Sequence, residues 1–486
     1  MSSNSTPMIQ ELRADFEKVL NMVTSPEAAT ATLDQMERSV LRQILCLGLK
    51  LLKLFLQTRV AAESHQPLRV GRKRWAYHSQ KERDYFSFFG KLTFARAYFY
   101  SKRHGGKSPL DEALSVPEQC YSDLLTESAE LLAVEGSYAK GLRVLARLLD
   151  IDLSEAAVEM TAAEHAQAVE TFYAQQAPPP VKEEGVLLVA QADGKGVPMV
   201  RPADDVPKTV RRGKGAKKTR KKEAIATALY TIDRYPRTPQ EVVNALFRKP
   251  TTTEARPAPC GKRVFASLDG KAAALERLAG WAHQREGKHI RGRVALTDGA
   301  KALQTQTQTR LPGFTLVLDV LHVNEHLWKA GTALYGETHP QRESWVEAQL
   351  RDLLASRGKT VICRLEKQRA GLAPSGAAGR TLRQVAQYLR HNLPYLDYAA
   401  YLRRGWPIGT GVVEGTCRHL VKDRMELSGM RWTVPGAEAI LALRAVNENG
   451  DWETFHTFRR TERHQRLYGK PMNTAWLDHA ERFQIN

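Results

Sequence analysis

The stretch HVNEH, residues 322–326, contains two histidines and a glutamate at a spacing that could bind a metal ion. His322 and His326 stand four residues apart, so both would lie on one face of a helix. With Glu325 they match H-x-x-E-H, a zinc-peptidase signature in which the glutamate is a general base. An alternative pairs His322 with Asp319, which ends the apolar run just before it. Short motifs often match by chance, so the neighbouring chemistry must separate the two interpretations.

Three other acids, Asp193, Asp298 and Glu414, each stand at the edge of a predicted strand or helix. Carboxylates at the carboxyl ends of neighbouring parallel strands point into one crevice of an α/β sheet. Such a cluster repels itself unless a cation lies between its members, and Mg²⁺ prefers oxygen ligands of this kind. Two Mg²⁺ or Mn²⁺ ions held there would activate an attacking oxygen and stabilise a leaving oxygen at phosphorus. Singly, the aspartates could form Asp-Gly turns and Glu414 could favour a helix dipole.

The charge of the chain favours a polyanionic partner. Its 486 residues include 72 Lys and Arg against 53 Asp and Glu, a formal net charge of +19. Nucleic acid fits this excess best, ahead of an anionic membrane surface. The most apolar window, ILCLGLKLLKLFL, is short and carries Lys50 and Lys53, so no membrane span is predicted. The polar N-terminus and five scattered cysteines predict a cytoplasmic protein without a disulfide framework.

The elements that would position the acids form an α/β pattern after residue 185. GVLLVAQADGKGVPMV predicts a hairpin, with a first strand that ends at Asp193, a Gly-Lys-Gly turn and a second strand. Further strands are predicted in AIATALYTIDRY, in GRVALTD ending at Asp298, and in FTLVLDVLH ending at Asp319. Helices are predicted in LDGKAAALERLAGWAHQREG and GAKALQTQTQTR. This order is that of a ribonuclease H-like α/β domain, with parallel later strands.

Composition divides the chain into six predicted segments. They are a mainly α-helical N-terminal region for DNA binding or dimerisation (1–176), a proline-rich linker (177–185), the first part of a catalytic core (186–335), an α-helical insertion (336–404), the part of the core with the Glu-bearing helix (405–450) and a C-terminal tail (451–486).

Within the N-terminal region, FFGKLTFARAYFYS alternates like a short hairpin, and SYAKGLRVLARLLDIDLSEAAVEM predicts a helix, a turn and a second helix. Ser154 is the predicted N-cap of the second helix. Acidic Glu155 and Glu159 at its start argue against entry into a major groove. The helix pair could therefore serve packing or dimerisation, and recognition of DNA bases also stays open.

Four segments together resemble a known family. ADGKGVPMV, LTDGAKAL, LDVLHVNEHLW and GVVEGTCRHLVKDRMELSGMRWT resemble DDE transposases of bacterial insertion sequences, in particular the ISKra-type group, which is related to Mutator-like transposases. The resemblance implies that Asp193, Asp298 and Glu414 are the catalytic, metal-binding triad. It also implies that Asp319 and His322 correspond to the (C/D)-x-x-H signature of Mutator-like enzymes, with an accessory role.

The activity implied by the resemblance is cleavage at transposon ends, followed by attack of the freed 3′-OH on target DNA. Partners would be double-stranded DNA, as terminal inverted repeats and as target, and at least a second copy of the chain. The place of action would be the bacterial nucleoid. A ribonuclease H-like nuclease or resolvase that cuts without joining stays open, as does a DNA-binding protein with a decayed core. A zinc metallopeptidase using residues 322–326 is a remote alternative.

Basic residues in two segments are candidates for phosphate contacts. The run 208–222 is predicted to be a basic loop, with Arg211, Arg212, Lys214, Lys217, Lys218, Arg220, Lys221 and Lys222. A solvated run with no specific partner is its plainer explanation. Arg418 and Lys422 would form a stripe beside Glu414 on one helix, and Arg431 precedes Trp432, for which a place in the core is favoured.

Overall fold

The computed structural model of the chain describes residues 5–200, 221–250, 255–373 and 376–472. Contacts divide it into unit 1, drawn from Met1–Ala168 and Trp452–Asn486, and unit 2, drawn from Val169–Asp451. The division after Ala168 comes earlier than the proline-rich linker predicted at 177–185. Residues after 451, predicted as a tail, return to unit 1 and include a helix.

Unit 1 begins with long helices, followed by a small antiparallel sheet and shorter helices. Its strands are β1 (Leu68–Val70), β2 (Lys73–Ser87), β3 (Gly90–Ser101) and β4 (Gly105–Lys107), in that order in the sheet. Its helices up to residue 168 are α1 (Ser5–Thr24), α2 (Leu33–Ala61), α3 (Pro109–Ala113), α4 (Asp123–Glu135), α5 (Tyr138–Leu149) and α6 (Glu155–Ala166). Ser154 accepts a hydrogen bond from the amide of Ala157, which confirms the predicted helix pair and its cap.

The N-terminal region is mainly helical, but it also contains a sheet that the sequence analysis predicted only in part. The stretch FFGKLTFARAYFYS does not fold back on itself: most of it is the single strand β3, and β2 is its partner. Strand β2 was missed because the less exposed positions in its middle are Ser79 and Arg83, so apolar and polar residues do not alternate there. Only Trp75 and Ser87 of β2 are fully buried.

Unit 2 is built on a mixed sheet. Its strands are β5 (Leu187–Pro198), β6 (Lys221–Ile232), β7 (Cys260–Ser267), β8 (Gly292–Thr297) and β9 (Thr315–Leu318), and their order in the sheet is β7-β6-β5-β8-β9. Strand β6 is antiparallel to both neighbours, whereas β5, β8 and β9 are mutually parallel. The predicted α/β class is therefore confirmed.

The hairpin predicted around Asp193 is wrong. Residues 187–198 form one continuous strand because β6 pairs with all of it, from Leu187 opposite Ile232 to Pro198 opposite Lys221. Gly194 lies within this strand, opposite Ile225 of β6, and takes no part in a turn. Strand β7, which the sequence analysis did not predict, restores the expected number of strands.

Helices cover the sheet of unit 2 and extend from it. They are α7 (Val169–Gln175), α8 (Pro239–Leu246), α9 (Lys271–Gln284), α10 (Lys301–Arg310), α11 (Val320–Tyr335), α12 (Gln341–Leu354), α13 (Gly358–Ala370), α14 (Ala377–His391), α15 (Tyr398–Arg403), α16 (Gly411–Thr416), α17 (Asp423–Met425) and α18 (Val434–Glu448). Cys417–Lys422, between α16 and α17, is π-helical. The helices predicted between 336 and 404 are present. The described chain closes with α19 (Trp452–Tyr468), which belongs to unit 1.

One large apolar core joins the sheet of unit 2 to the helices inserted after β9. It runs from Val189 and Val294 on the strands to Leu350, Leu365 and Leu389 on α12, α13 and α14, all of them buried. Burial of this size fixes the carboxyl ends of β5, β8 and β9 against a rigid support. In the part of the chain that the structure describes, no helix is both long and apolar enough to cross a membrane.

Candidate active site

Three aspartates occupy one row across the parallel part of the sheet. Gln191 of β5 lies opposite Leu296 of β8, which lies opposite Val317 of β9. Asp193, Asp298 and Asp319 each lie two residues beyond one member of this row. Because side chains alternate along a strand, residues two positions beyond one row share a face of the sheet. The register therefore brings all three carboxylates to the same edge.

Asp193 lies inside β5, and not at the end of a strand as predicted, and it is half-buried. Its Oδ1 accepts a hydrogen bond from the Gly194 amide at 2.7 Å, and the thiol of Cys417 donates to its Oδ2 at 3.4 Å. Burial raises the pKa of the Asp193 carboxyl above its usual value, and the charge of Asp298 adds to the rise. A cation between these carboxylates would oppose that rise.

Asp298 directly follows β8, as predicted. Its Oδ1 accepts from the amide of Ala300 at 2.9 Å, and its backbone carbonyl accepts from the hydroxyl of Tyr388 on α14 at 3.0 Å. No described residue donates a hydrogen bond to its Oδ2. Asp298 thus has a fixed backbone and a carboxylate oxygen that is available to a ligand.

Asp319 is completely buried and caps the start of α11. Its Oδ1 accepts from the amides of Leu321 at 3.1 Å and Thr410 at 3.0 Å, and its Oδ2 accepts from the amide of His322 at 3.2 Å. Nδ1 of His322 also lies 2.5 Å from Oδ2. The bond to Asp319, together with its charge, raises the pKa of His322 to about 9, although partial burial opposes the rise. His322 is therefore an imidazolium at neutral pH.

Glu414 reaches this edge of the sheet from α16, in whose first turn it lies, as predicted. The hydroxyl of Thr410 donates to its Oε1 at 3.0 Å. The same segment is tied to β5 because Oε1 of Gln191 accepts from the Val413 amide at 2.9 Å. Burial raises the pKa of Glu414, and the charges of Asp319 and Asp193 add to the rise.

Two sets of side chains at this edge could bind a cation. Asp319, His322 and Glu414 each offer a ligand atom within 4.8 Å of the others. Each oxygen of Asp319, however, is already engaged in two contacts, Oδ1 with the amides of Leu321 and Thr410 and Oδ2 with the amide and Nδ1 of His322. The predicted set, Asp193, Asp298 and Glu414, keeps carboxylate oxygens for a hard dication, but its ligand atoms do not all lie within 4.8 Å of one another. Burial, to which repulsion between the acids adds, raises the pKa of Asp193 and of Glu414.

The stretch HVNEH lies in the first turns of α11 and does not form a zinc-peptidase arrangement in the described chain. His322 is bonded to Asp319, whereas the ring of His326 stacks on Tyr388 with centroids 3.9 Å apart. Glu325 is exposed, and its nearest described cation is Lys329 at 3.9 Å. The pairing of His322 with Asp319 is the predicted alternative that the structure shows.

The basic candidates fall into three groups. Arg211, Arg212, Lys214, Lys217, Lys218 and Arg220 lie outside the described residues. Lys221 and Lys222, predicted in a loop, begin β6 because they pair with Pro198 and Val197, and Lys221 also contacts Glu426. The third group, which follows Glu414 along the chain, consists of Arg418, Lys422 and Arg431.

Arg418 and Lys422, predicted as a stripe on an α-helix, lie in the π-helical segment. A turn of a π-helix is slightly longer than a turn of an α-helix, so residues four apart still lie on nearly the same side, and the stripe beside Glu414 stays a prediction. Both are exposed, as is Arg431. Trp432 is buried, its indole N–H donates to the Met425 carbonyl at 3.1 Å, and the Arg424 guanidinium lies 4.7 Å from its ring, which confirms a place in the core.

Four residues at the site escaped the sequence analysis: Gln191, Tyr388, Thr410 and Cys417. Thr410 carried the strongest available signal, because it precedes Glu414 by one helical turn in a Gly-Thr-Gly sequence. Cys417 lies three residues after Glu414, and burial beside Asp193 raises the pKa of its thiol well above the usual value. Gln191 and Tyr388 had no local signal, since their partners lie 222 and 90 residues away.

Similarity of this chain to known proteins is low. No protein-family model matches it, and no curated protein matches it. A solved structure, the Drosophila P element transposase strand transfer complex, aligns at 10% sequence identity over 75% of this chain and 86% of that chain. Its TM-score is 0.24, which is too low to establish a shared fold.

Proposed function

We propose that the chain is a DDE transposase of the ISKra type, which cleaves insertion-sequence ends and joins the 3′-OH ends to target DNA. The observation that carries the proposal is the row of Asp193, Asp298 and Asp319 at one edge of the sheet, to which Thr410 ties Glu414. Clustered carboxylates at the carboxyl ends of parallel strands suit phosphoryl transfer, and the net charge of +19 suits a DNA substrate.

The topology of unit 2 supports a ribonuclease H-like catalytic core. Numbered along the chain, its strands stand in the order third, second, first, fourth, fifth. The second strand is antiparallel, and helices α9 and α10 lie between the later strands in sequence. The helices from α12 to α15 then form the insertion between the fifth strand and Glu414.

Asp193, Asp298 and Glu414 are the residues that would hold two Mg²⁺ or Mn²⁺ ions. Their carboxylate oxygens are the donors that such ions prefer, and the raised pKa values of Asp193 and Glu414 reflect burial and repulsion that a dication relieves. Bound metal would supply Lewis acidity, promoting attack by water or a 3′-OH at phosphorus and stabilising the leaving oxygen.

The other residues of the site position these carboxylates and balance their charge. Thr410 orients Glu414 through its hydroxyl and is itself held through its amide by Asp319. The imidazolium of His322 places a positive charge next to the acids, where it would attract the scissile phosphate. Exposed Arg418, Lys422 and Arg431 would contact the DNA backbone nearby.

The proposal is tested with the full chain, labelled terminal-repeat DNA, a target duplex and Mg²⁺ or Mn²⁺. Wild type is expected to form both cut and joined products. Asp193→Asn, Asp298→Asn and Glu414→Gln are each expected to lower both steps by about a thousandfold or more, because the metals lose a ligand. Glu337→Gln, an exposed acid in unit 2, is the matched control and should retain wild-type activity.

Three outcomes would contradict parts of the proposal. Cutting without joining would identify a ribonuclease H-like nuclease or resolvase. Activity that survives Asp193→Asn would remove the triad assignment. DNA binding without any cleavage under either metal would indicate a DNA-binding protein whose core has lost catalysis. Because two transposon ends must be held together, active complexes should contain at least two copies of the chain.

A further inference from the structure

Helix α4 faces α19 within unit 1 through a ladder of charged side chains. Asp123, Glu127 and Glu130 lie on one face of α4 at helical spacing. Asp123 accepts from Arg463 at 2.6 Å and from Arg459 at 3.0 Å. Glu127 accepts from Arg459 at 3.1 Å and also from Arg460. The first two acids are thus neutralised by arginines of α19.

Glu130, the third acid of the ladder, contacts histidines, whereas Asp123 and Glu127 are paired with arginines. Glu130 is completely buried, and so is His456 of α19, while His165 of α6 is 7% exposed. Nδ1 of His165 lies 2.7 Å from Oε1 of Glu130, and Nε2 of His456 lies 4.0 Å from its Oε2. Ligand atoms of all three residues lie within 4.8 Å of one another.

The polar atoms that converge in this cluster lack hydrogen bonds. Both carboxylate oxygens of Glu130, Nδ1 of His165 and Nε2 of His456 are buried without a hydrogen-bond partner among the described residues. The 2.7 Å contact is close enough for a hydrogen bond but is not aligned as one. Buried polar atoms without partners cost free energy unless something binds them.

We propose that Glu130, His165 and His456 bind a divalent transition-metal ion of the Zn²⁺ class inside unit 1, separate from the carboxylate site of unit 2. Two imidazoles and a carboxylate are a common zinc ligand set. With metal–ligand distances of about 2.1 Å, tetrahedral ligands lie about 3.4 Å apart, between the two contacts given above. Small side-chain shifts would therefore complete the coordination, and a water molecule could occupy the fourth position.

The surroundings of His456 fit coordination through Nε2. Its Nδ1 accepts a hydrogen bond from Nε of Arg459 at 3.4 Å and lies 3.6 Å from Oε1 of Glu127. When Nε2 binds a metal, Nδ1 carries the ring proton, so the contact with Arg459 would be exchanged for a hydrogen bond to Glu127. Because all three ligands are buried and lie on three helices, the ion would be structural and would fasten α19 to α4 and α6.

The test uses the full chain, free of any histidine tag, in an Asp193→Asn, Asp298→Asn, His322→Gln, Glu414→Gln background that removes the other metal site. After chelation, the protein is titrated with ZnCl₂ or CoCl₂ and its bound metal is measured. About one equivalent per chain is expected to bind, and its removal should lower the Tm. X-ray absorption of the zinc-loaded background protein should show two imidazole ligands. This measurement does not depend on whether the ligand variants fold.

Matched variants in the same background locate the ion. His165→Gln and His456→Gln, as well as Glu130→Gln, should each lose the bound equivalent. His464→Gln changes another buried histidine of α19, whose Nδ1 lies 3.0 Å from the hydroxyl of Ser115, and should keep it. Far-ultraviolet circular dichroism checks that the variants stay folded.

The proposal fails if the background protein binds no zinc. It also fails if folded His165→Gln and His456→Gln variants keep the metal, or if the absorption spectrum lacks imidazole. These results are independent of the function proposed for unit 2. Every protein in the test carries the substituted carboxylate site, and only metal binding, Tm and X-ray absorption are measured.

Discussion

The backbone amide of Thr410 donates a 3.0 Å hydrogen bond to the buried carboxylate of Asp319, 91 residues earlier in the chain. Through this bond the loop before α16 is held at the start of α11, and the Thr410 hydroxyl then holds Glu414. Asp319 thus links these two segments, and its own oxygens are already engaged by hydrogen bonds.

Thr410→Val keeps the amide bond to Asp319 and removes the hydroxyl bond to Glu414. Because Glu414 would then be less well oriented, we expect a fall in DNA cleavage of about tenfold, equal to the loss of one hydrogen bond near 1.4 kcal/mol. The metal concentration for half-maximal rate should rise as well. Thr410→Ser keeps the hydroxyl and should restore both values; equal defects in the two variants would contradict the positioning role.

His322→Gln removes the positive charge beside the acids while keeping a polar side chain. We expect cleavage to fall by about 10- to 100-fold, since one charge-assisted contact to phosphate is lost. His326→Gln is the control, because His326 stacks on Tyr388 and is not part of the carboxylate cluster. If both variants lose the same cleavage activity and added zinc restores it, metal binding by His322 and His326 would be favoured instead.

Exposed Arg418 and Arg431 are predicted to contact DNA phosphates near the site. Arg418→Gln or Arg431→Gln should weaken binding of any DNA sequence, and each should reduce the slope of log K against log salt concentration by about 1. Lys359→Gln, which changes an exposed lysine on the inserted helix α13, should leave the slope unchanged. Fluorescence anisotropy across a salt series measures these slopes, and an unaltered slope for Arg418→Gln would place that residue outside the interface.

The stability of unit 1 should depend on Asp123 at acid pH. Burial would raise its pKa, but the bonds and charges of Arg463 and Arg459 outweigh burial and lower the pKa to about 2. A lowered folded-state pKa contributes stability that is present above the unfolded value of about 3.9 and is lost as the pH falls through about 2. The contribution is about 2 kcal/mol at neutral pH.

Urea unfolding of the full chain between pH 2 and pH 6, followed by circular dichroism, measures this dependence. Asp123→Asn should destabilise unit 1 at pH 6 and flatten the decline below pH 4. Asp34→Asn changes an exposed acid that pairs with Arg38, and it should leave the acid decline as in wild type. A decline that is the same in Asp123→Asn and wild type would show that other groups govern acid unfolding.

Local patterns in the sequence were enough to predict the fold class of this protein and the positions of several of its acids. The acids Asp298, Asp319 and Glu414 were located correctly because each follows an apolar strand or enters a helix, and such edges depend on neighbouring residues alone. The α/β class, the long helix α2 and the Ser154 cap were predictable for the same reason. In contrast, β2 was missed because its less exposed middle positions, Ser79 and Arg83, are polar and give no apolar signal.

Only the tertiary structure decided which partners these residues meet. Glycines 194 and 196 permit either a turn or close strand packing, and pairing with β6 selects the straight strand. The alignment of Asp193, Asp298 and Asp319 depends on strand register, which is set by the packing of both sheet faces. The contacts of Asp319 with Thr410, and of Glu130 with His165 and His456, join residues distant in the chain, and no local spacing encodes them.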